Sequence, residues 1–336
     1  MKDRKVRRNI YVLLTFMLLI MVTFFISVNT GHIRLAPNEV LTTLFGGGTD
    51  KQHTILFDFR LPRIVLSILV GAALAVSGAV MQGITRNALA DPGILGINAG
   101  AGLMVLIYVA YFPAALGGHL LMLPLLAWLG AAITATIIYM LAYKCGEGVA
   151  PTRMLMVGIA IAAGIGAFTI VITLVLSPDE YQFVATWMAG SIWGKNWFYV
   201  LALLPFVLVL LPFVFVKASV INLLNLDDAL ANSLGVAVEK ERRLLLFAAV
   251  GLAGTAVSVS GGIGFVGLIA PHLVRRLIGP KHQFLLPTVA VVGGFLVLLA
   301  DTVGRSIIQP AEVPAGIVVA VLGAPYFLYL LARSKK

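Results

Sequence analysis

Residues 217–243 read KASVINLLNLDDALANSLGVAVEKERR, a polar island between two long apolar runs. Leu226, Leu230 and Leu234 recur every four residues, which places them on one face of a short helix. Asp227 and Asp228 fall in its first turn, where the helix dipole favours negative charge, and Asn225 is the expected N-cap. Gly235 follows the last leucine, as a C-terminal cap would. A charge cluster from Glu239 to Arg243 closes the island. So short a helix has little core of its own. It either lies on a lipid surface or is a handle that another protein grips.

The flanking sequence makes the chain an integral membrane protein. Sixty per cent of its 336 residues are apolar and only 11% are charged, which does not describe a soluble core with a wettable surface. The net charge of +10 is not arranged for nucleic acid, because Lys and Arg stand mostly at the ends of apolar runs. A single cysteine, Cys145, excludes an internal disulfide and a multi-Cys metal site. His32, His53, His119, His272 and His282 are scattered without ligand spacing, so no metal site is expected.

Ten runs are expected to be membrane helices: 10–28, 64–84, 94–112, 120–143, 154–176, 197–216, 244–259, 264–277, 284–308 and 315–331. The run at 264–277 is short and ends in Arg275–Arg276. Five basic residues precede the first run, but no A-x-A cleavage site follows it, so it is read as a retained helix. With the N-terminus inside and each run crossing once, eighteen basic residues fall inside and six outside, accounting for all 24. Both termini and the island are then cytoplasmic. Arg63-x6-Val70-Gly71-x-Ala73 recurs as Arg243-x6-Val250-Gly251-x-Ala253 on a segment expected to run the opposite way, a hint of an inverted repeat.

Among fourteen acidic residues only Asp301 lies inside a run, near its outer end, with Arg305 one turn away as its expected partner. Ion-coupled carriers usually place ionisable groups at mid-membrane, so their scarcity argues against one. GSIWGKN at 190–196 is no Walker loop, since its spacing is short and it lacks the Ser or Thr. Abundant glycine within the runs reads as tight helix packing or as helices that rearrange around a pathway. Energy for transport must come from outside this chain, and the island is where it would enter.

Several motifs carry a resemblance. VGAALAVSGAVMQGITRNALADPGILGINAGAG at 70–102 follows Arg60-Leu-Pro-Arg63. Later come GFVGLIAPHLVR at 264–275, LADTVGR at 299–305, EVPAG at 312–316 and LGAPY at 322–326. Together they resemble the FecCD family, permease subunits of ABC importers for iron(III)-siderophores, haem and vitamin B12. The resemblance covers nearly the whole chain. It implies an all-α fold like that of the vitamin B12 importer permease, with about ten transmembrane helices in one domain over 1–336.

It also implies roles. The 217–243 loop would be the coupling segment that inserts into the ATPase, through Leu226, Asp227, Asp228, Leu230, Leu234 and Gly235. Arg60, Arg63 and Arg305 match positions that pair with glutamates of an extracytoplasmic binding protein, unless they are snorkelling interfacial arginines. Asn87 and Leu89, with Pro151 and Thr152, match the cytoplasmic gate. Here Asn87-Ala88-Leu89-Ala90 stands where the family usually has Asn-Pro-Leu-Ala, which puts gate rigidity in doubt.

The implied partners are a second permease subunit, identical or related, two ABC ATPases, the binding protein and the bilayer of a bacterial cell membrane. The implied chain is no enzyme and holds no cofactor, ATP and Mg2+ being bound by the ATPase. Iron(III)-siderophore is the expected substrate, with haem or vitamin B12 as the alternative. An ion-coupled secondary transporter or a channel-like subunit are the readings from other classes.

Overall fold

Each of the ten runs is a helix in the computed structural model, which describes residues 2–31, 36–93, 96–112, 122–144, 148–308 and 311–333. In chain order the helices are α1 Lys2–Asn29, α2 Pro37–Leu44, α3 Asp50–His53, α4 Leu61–Thr85, α5 Ile97–Tyr111 and α6 Met122–Ala142. There follow α7 Pro151–Thr173, α8 Pro178–Met188, α9 Trp197–Val216, α10 Ala218–Leu224 and α11 Asp228–Ser233. The series ends with α12 Val238–Ser260, α13 Val266–Ile278, α14 His282–Ile307 and α15 Ala315–Arg333. The short strands β1 Tyr143–Lys144 and β2 Gly148–Val149 pair antiparallel. Cys145 lies outside the described residues.

Seven helical stretches are long and apolar enough to cross a membrane, and Ile97–Tyr111 and Ala315–Leu328 are shorter apolar helices. At thirteen residues α13 is too short to span about 30 Å alone.

The core is built on α4, whose second half is buried almost continuously. Glycines let its backbone touch its neighbours. A Cβ at Gly71 would come 2.1 Å from Gly293 O of α14, and one at Gly78 would come 2.1 Å from Gly267 O of α13. Alanine at either would have to push two helices apart, an overpacking cost of about 1–3 kcal/mol. By contrast, nothing lies within 4 Å of a Cβ at Gly164 or Gly166 of α7, a helix that leaves much of its apolar surface exposed.

α12 packs against α4 with Ser77 Oγ donating to Ala249 O at 2.6 Å. Arg86, just after α4, and Arg242, at the start of α12, meet the same carboxylate, so the two helices run antiparallel. That is the orientation expected of the repeated Arg-x6-Val-Gly-x-Ala segments.

The two ends of the molecule separate cleanly. Residues expected inside meet one another: Arg86 with Asp228, and Lys217 with Glu241 at 2.7 Å. Residues expected outside do likewise: Arg63 with Asp301, Trp197 Nε1 donating to Phe57 O at 2.7 Å, and Gly316 N donating to Gly190 O at 2.9 Å.

Candidate functional site

The island folds as two short helices, α10 and α11. Asn225 is not the N-cap of the second; it ends α10, its Nδ2 donating to Ile221 O at 2.8 Å. Asp227 holds the N-cap position, without a side-chain cap bond. A carboxamide and a carboxylate two residues apart both suit a cap, and the shorter helix selects the later one. The C-terminal end is as read. Gly235 has φ +84°, its N–H donates to Asn232 O at 2.9 Å, and Val236 N–H donates to Ala231 O at 3.1 Å. These two bonds make the left-handed Schellman stop.

Ala231 is buried and anchors α11, while Leu226, Leu230 and Leu234 are 39%, 50% and 55% exposed. Leu226 precedes the extended N-cap Asp227 and Leu234 is the C-cap, so of the three leucines expected on one helical face only Leu230 lies within the helix. Asp228 accepts from Arg242 Nη2 at 3.1 and 3.2 Å and is also paired with Arg86. Partial burial pushes the Asp228 carboxyl up, but Arg242 and Arg86 outweigh it and hold it below its usual range.

Arg86 joins this handle to the expected gate. It ends α4 in the left-handed region at φ 53°, which is uncommon for a side chain larger than glycine. Its Nε donates to Leu224 O at 2.8 Å, and its chain neighbour is Asn87. Asn87 Oδ1 accepts from Leu89 N at 2.9 Å, and Ala90 N donates to Asn87 O at 3.1 Å. This turn supplies locally the stiffness that proline at position 88 would have supplied. Leu89, Phe265, Leu268, His272 and Tyr326 close around a void of about 10 Å³. Pro151 opens α7 and Thr152 is exposed. Among the described residues no hydrogen bond brings Thr152 to the Asn87 turn.

At the outer end the three arginines are drawn inward. Arg63 holds Asp301 with two nitrogens at 2.8 to 3.0 Å and Glu312 at 2.8 Å. Asp301 is 1% exposed at its side chain and Glu312 27%. Arg305, expected to be the partner of Asp301, reaches it only at 3.4 Å. It donates instead to Thr30 O and Ser27 O at 3.3 Å and to Ser27 Oγ. Arg60 donates to Val28 O and is 6% exposed, as is Arg305. The last carbonyls of α1 have no helical partner, so Arg60 and Arg305 act as its C-terminal cap. Arg60 also ends a π-helical stretch, Thr54–Arg60, that runs directly into α4. Glu312 is not among the expected site residues; its place in the EVPAG motif, seven residues after Arg305, is the available signal.

No group of His, Cys, Asp or Glu among the described residues is arranged to hold a metal ion. The model of the FecCD transport family matches residues 19–333. The chain belongs to that family. It is 48% identical over 334 residues to the iron(3+)-hydroxamate import system permease protein FhuG of Bacillus subtilis, covering 98% of this chain and 99% of that one. It is 40% identical over 332 residues to the hemin transport system permease protein HmuU of Yersinia pestis, covering 96% of each. A solved inward-facing metal-chelate type ABC transporter superposes with a TM-score of 0.84 at 30% identity, over 96% of this chain and 99% of that chain. The all-α permease fold therefore holds over nearly the whole chain.

Proposed function

We propose that this FecCD permease is the membrane subunit of an ATP-driven importer of iron(III) chelates, hydroxamate siderophores first among them. The observation that carries the reading is the handle: three leucines exposed on a capped segment that ion pairs hold against the body. Exposed leucines on a charged loop are a surface waiting for a partner. An ATPase is the partner that supplies energy to a chain with no nucleotide loop of its own. A second permease subunit would cover apolar faces such as that of α7, and a binding protein would deliver the chelate at the end that carries Arg63.

The excess of basic residues on one side supports a handle and termini on the cytoplasmic side of a bacterial cell membrane. ATP and Mg2+ stay on the ATPase. Movement of the handle reaches the Asn87–Ala90 turn through Arg86, so nucleotide state and gate state bias one another. Each partner favours one conformation, and the substrate is moved without being altered.

The test is uptake. Cells lacking the chain and cells complemented with it would be given radioactive iron as a hydroxamate complex, as ferric citrate and as haemin. Complementation of hydroxamate-iron uptake is the expected result. Complementation with haemin alone would move the chain to the haem branch. Uptake that persists without any ATPase would overturn the importer reading.

A further inference from the structure

The inner ends of α4, α10, α13 and α14 enclose a cleft of about 550 Å³ that shares Arg86 with the handle but is otherwise unused by the transport reading above. Gln82, Arg86, Arg275, Lys281 and His282 line it. Gln82 and His282 are each only 3% exposed, yet each keeps one polar atom without a hydrogen-bond partner, Gln82 Oε1 and His282 Nε2. Buried polar atoms are nearly always satisfied in native proteins, so two orphans on residues that line one cleft need an explanation.

Their chemistry can be read from the bonds behind them. Gln82 Nε2 donates to Gly267 O at 3.2 Å, which leaves Oε1 as an acceptor. Gln283 Nε2 donates to Ser219 Oγ at 3.0 Å, and Asn222 Nδ2 donates to Gln283 Oε1 at 2.8 Å. Asn222 Oδ1 is therefore turned to His282, where it accepts from the backbone N at 3.0 Å and from ring Nδ1 at 2.8 Å. With its proton on Nδ1, the neutral ring presents a lone pair at Nε2. Both orphans are acceptors, and both call for a ligand that donates.

Around them the charge is positive. Arg275 makes no ion pair among the described residues. Lys281 is exposed, and the acid nearest in the network, Asp228, is already taken by Arg86 and Arg242. A ligand that suits cations beside two buried acceptors is an anion that also carries hydroxyl groups.

We propose that this cleft binds the phosphate ester of a hydroxylated compound, with the phosphate on Arg275 and Lys281 and a hydroxyl on Gln82 and His282. At about 1.5 Å per residue, the 26 residues of α14 exceed a hydrocarbon core of about 30 Å. A helix that long places His282, its first residue, at headgroup depth. The polyol headgroup of an anionic lipid and a soluble sugar phosphate share the required chemistry. The inference needs α14 to span the membrane but does not depend on which substrate the permease carries.

The experiment uses the full-length chain purified in detergent with the subunits that accompany it. Its melting temperature would be followed on titration with phosphatidylglycerol, phosphatidylethanol, phosphatidylcholine and glycerol 3-phosphate. Phosphatidylglycerol should stabilise and phosphatidylcholine should not. Phosphatidylethanol, with the same charge but no headgroup hydroxyl, should need a concentration about tenfold higher, as should phosphatidylglycerol on Gln82→Leu or Arg275→Gln. Stabilisation by the lipid alone identifies a membrane source, and stabilisation by glycerol 3-phosphate identifies a soluble one. Equal binding of phosphatidylethanol and phosphatidylglycerol, or titrations unchanged by either substitution, would overturn the proposal. Lys281→Gln, at the exposed rim, repeats the measurement if a buried variant fails to fold.

Discussion

The two ends of this permease present opposite solutions to the same problem of meeting a partner. At the inner end, apolar side chains that belong in a core stand in water, while Asp228 beside them is held by Arg86 and Arg242. At the outer end, cations that belong in water are pulled under the surface, where Asp301, Glu312 and the last carbonyls of α1 satisfy them. A partner at the inner end would meet exposed leucines without displacing anything. The outer arginines can dock only if a partner's carboxylate displaces something they already hold, and Glu312 is the most exposed of the groups they hold.

The sharpest way to break the comparison is Asp301→Asn. If the outer cluster is part of the fold, removing its buried carboxylate leaves Arg63 and Arg305 short of counter-charge in a dry site. Such losses cost about 3–5 kcal/mol. Thermal unfolding of the purified permease should show a large drop, with poor insertion in cells. A melting temperature near that of the unmodified chain would mean that the arginines swing out to solvent at little cost, as free docking groups would.

At the inner end, Leu230→Asp should do the reverse. Leu230 is half exposed, so stability should change by no more than about 0.5 kcal/mol. Against a partner, a buried carboxylate costs about 2–3 kcal/mol, roughly a hundredfold in association. The permease should insert normally and lose its ATPase on co-purification. Retention of the ATPase would sink the handle.

The contrast also explains what was legible in the sequence. Hydrophobic length is a local property, and all ten runs became helices. The Gly235 stop is local too and holds, whereas of the three leucines expected on one helical face only Leu230 lies within the helix. The local pair of Asp301 with Arg305 is present at 3.4 Å, but the tighter pairing with Arg63 crosses 238 residues and leaves no local trace in the sequence. Short elements such as α2, α3 and α8 and the π-helical stretch carry too few residues to show a period. Asn225 misled because cap chemistry tells which residues suit a helix start, not which of two suitable residues is used.

A smaller effect separates the handle's scaffold from its docking face. Asp228 is held below its usual range by Arg242 and Arg86. For a carboxyl depressed in the folded state, the stabilisation is present above the unfolded value, near pH 4, and is lost as pH falls through the folded value. The side chain is 45% exposed, so solvent screening keeps the contribution small. A spin label at position 233 should therefore report an ordered handle from pH 7 to about 5 and a loosened one at more acid pH. Asp228→Asn should be loosened throughout. A label equally ordered in both proteins would show that Ala231 and the Schellman stop suffice.

Glu312→Gln should give the smallest change and tell most about the outer end. Arg63 keeps both oxygens of Asp301 in this variant, and Glu312 is partly exposed, so stability should fall by about 1 kcal/mol at most. What changes is competition. In the unmodified chain a carboxylate from a binding protein must displace the Glu312 carboxylate to reach Arg63, whereas in the variant it displaces only a neutral amide, a weaker acceptor. If Arg63 docks by exchange, the variant should bind the binding protein up to about fivefold more tightly, the equivalent of 1 kcal/mol. The gain should shrink as salt rises, because the pair forms near water. Arg63→Glu should weaken docking and also melt early, since it sets a third carboxylate beside Asp301 and Glu312. Surface plasmon resonance of the binding protein on the reconstituted permease measures all of these. Unchanged affinity in Glu312→Gln would leave Arg63 with the fold alone, and docking would then belong to other groups on that face.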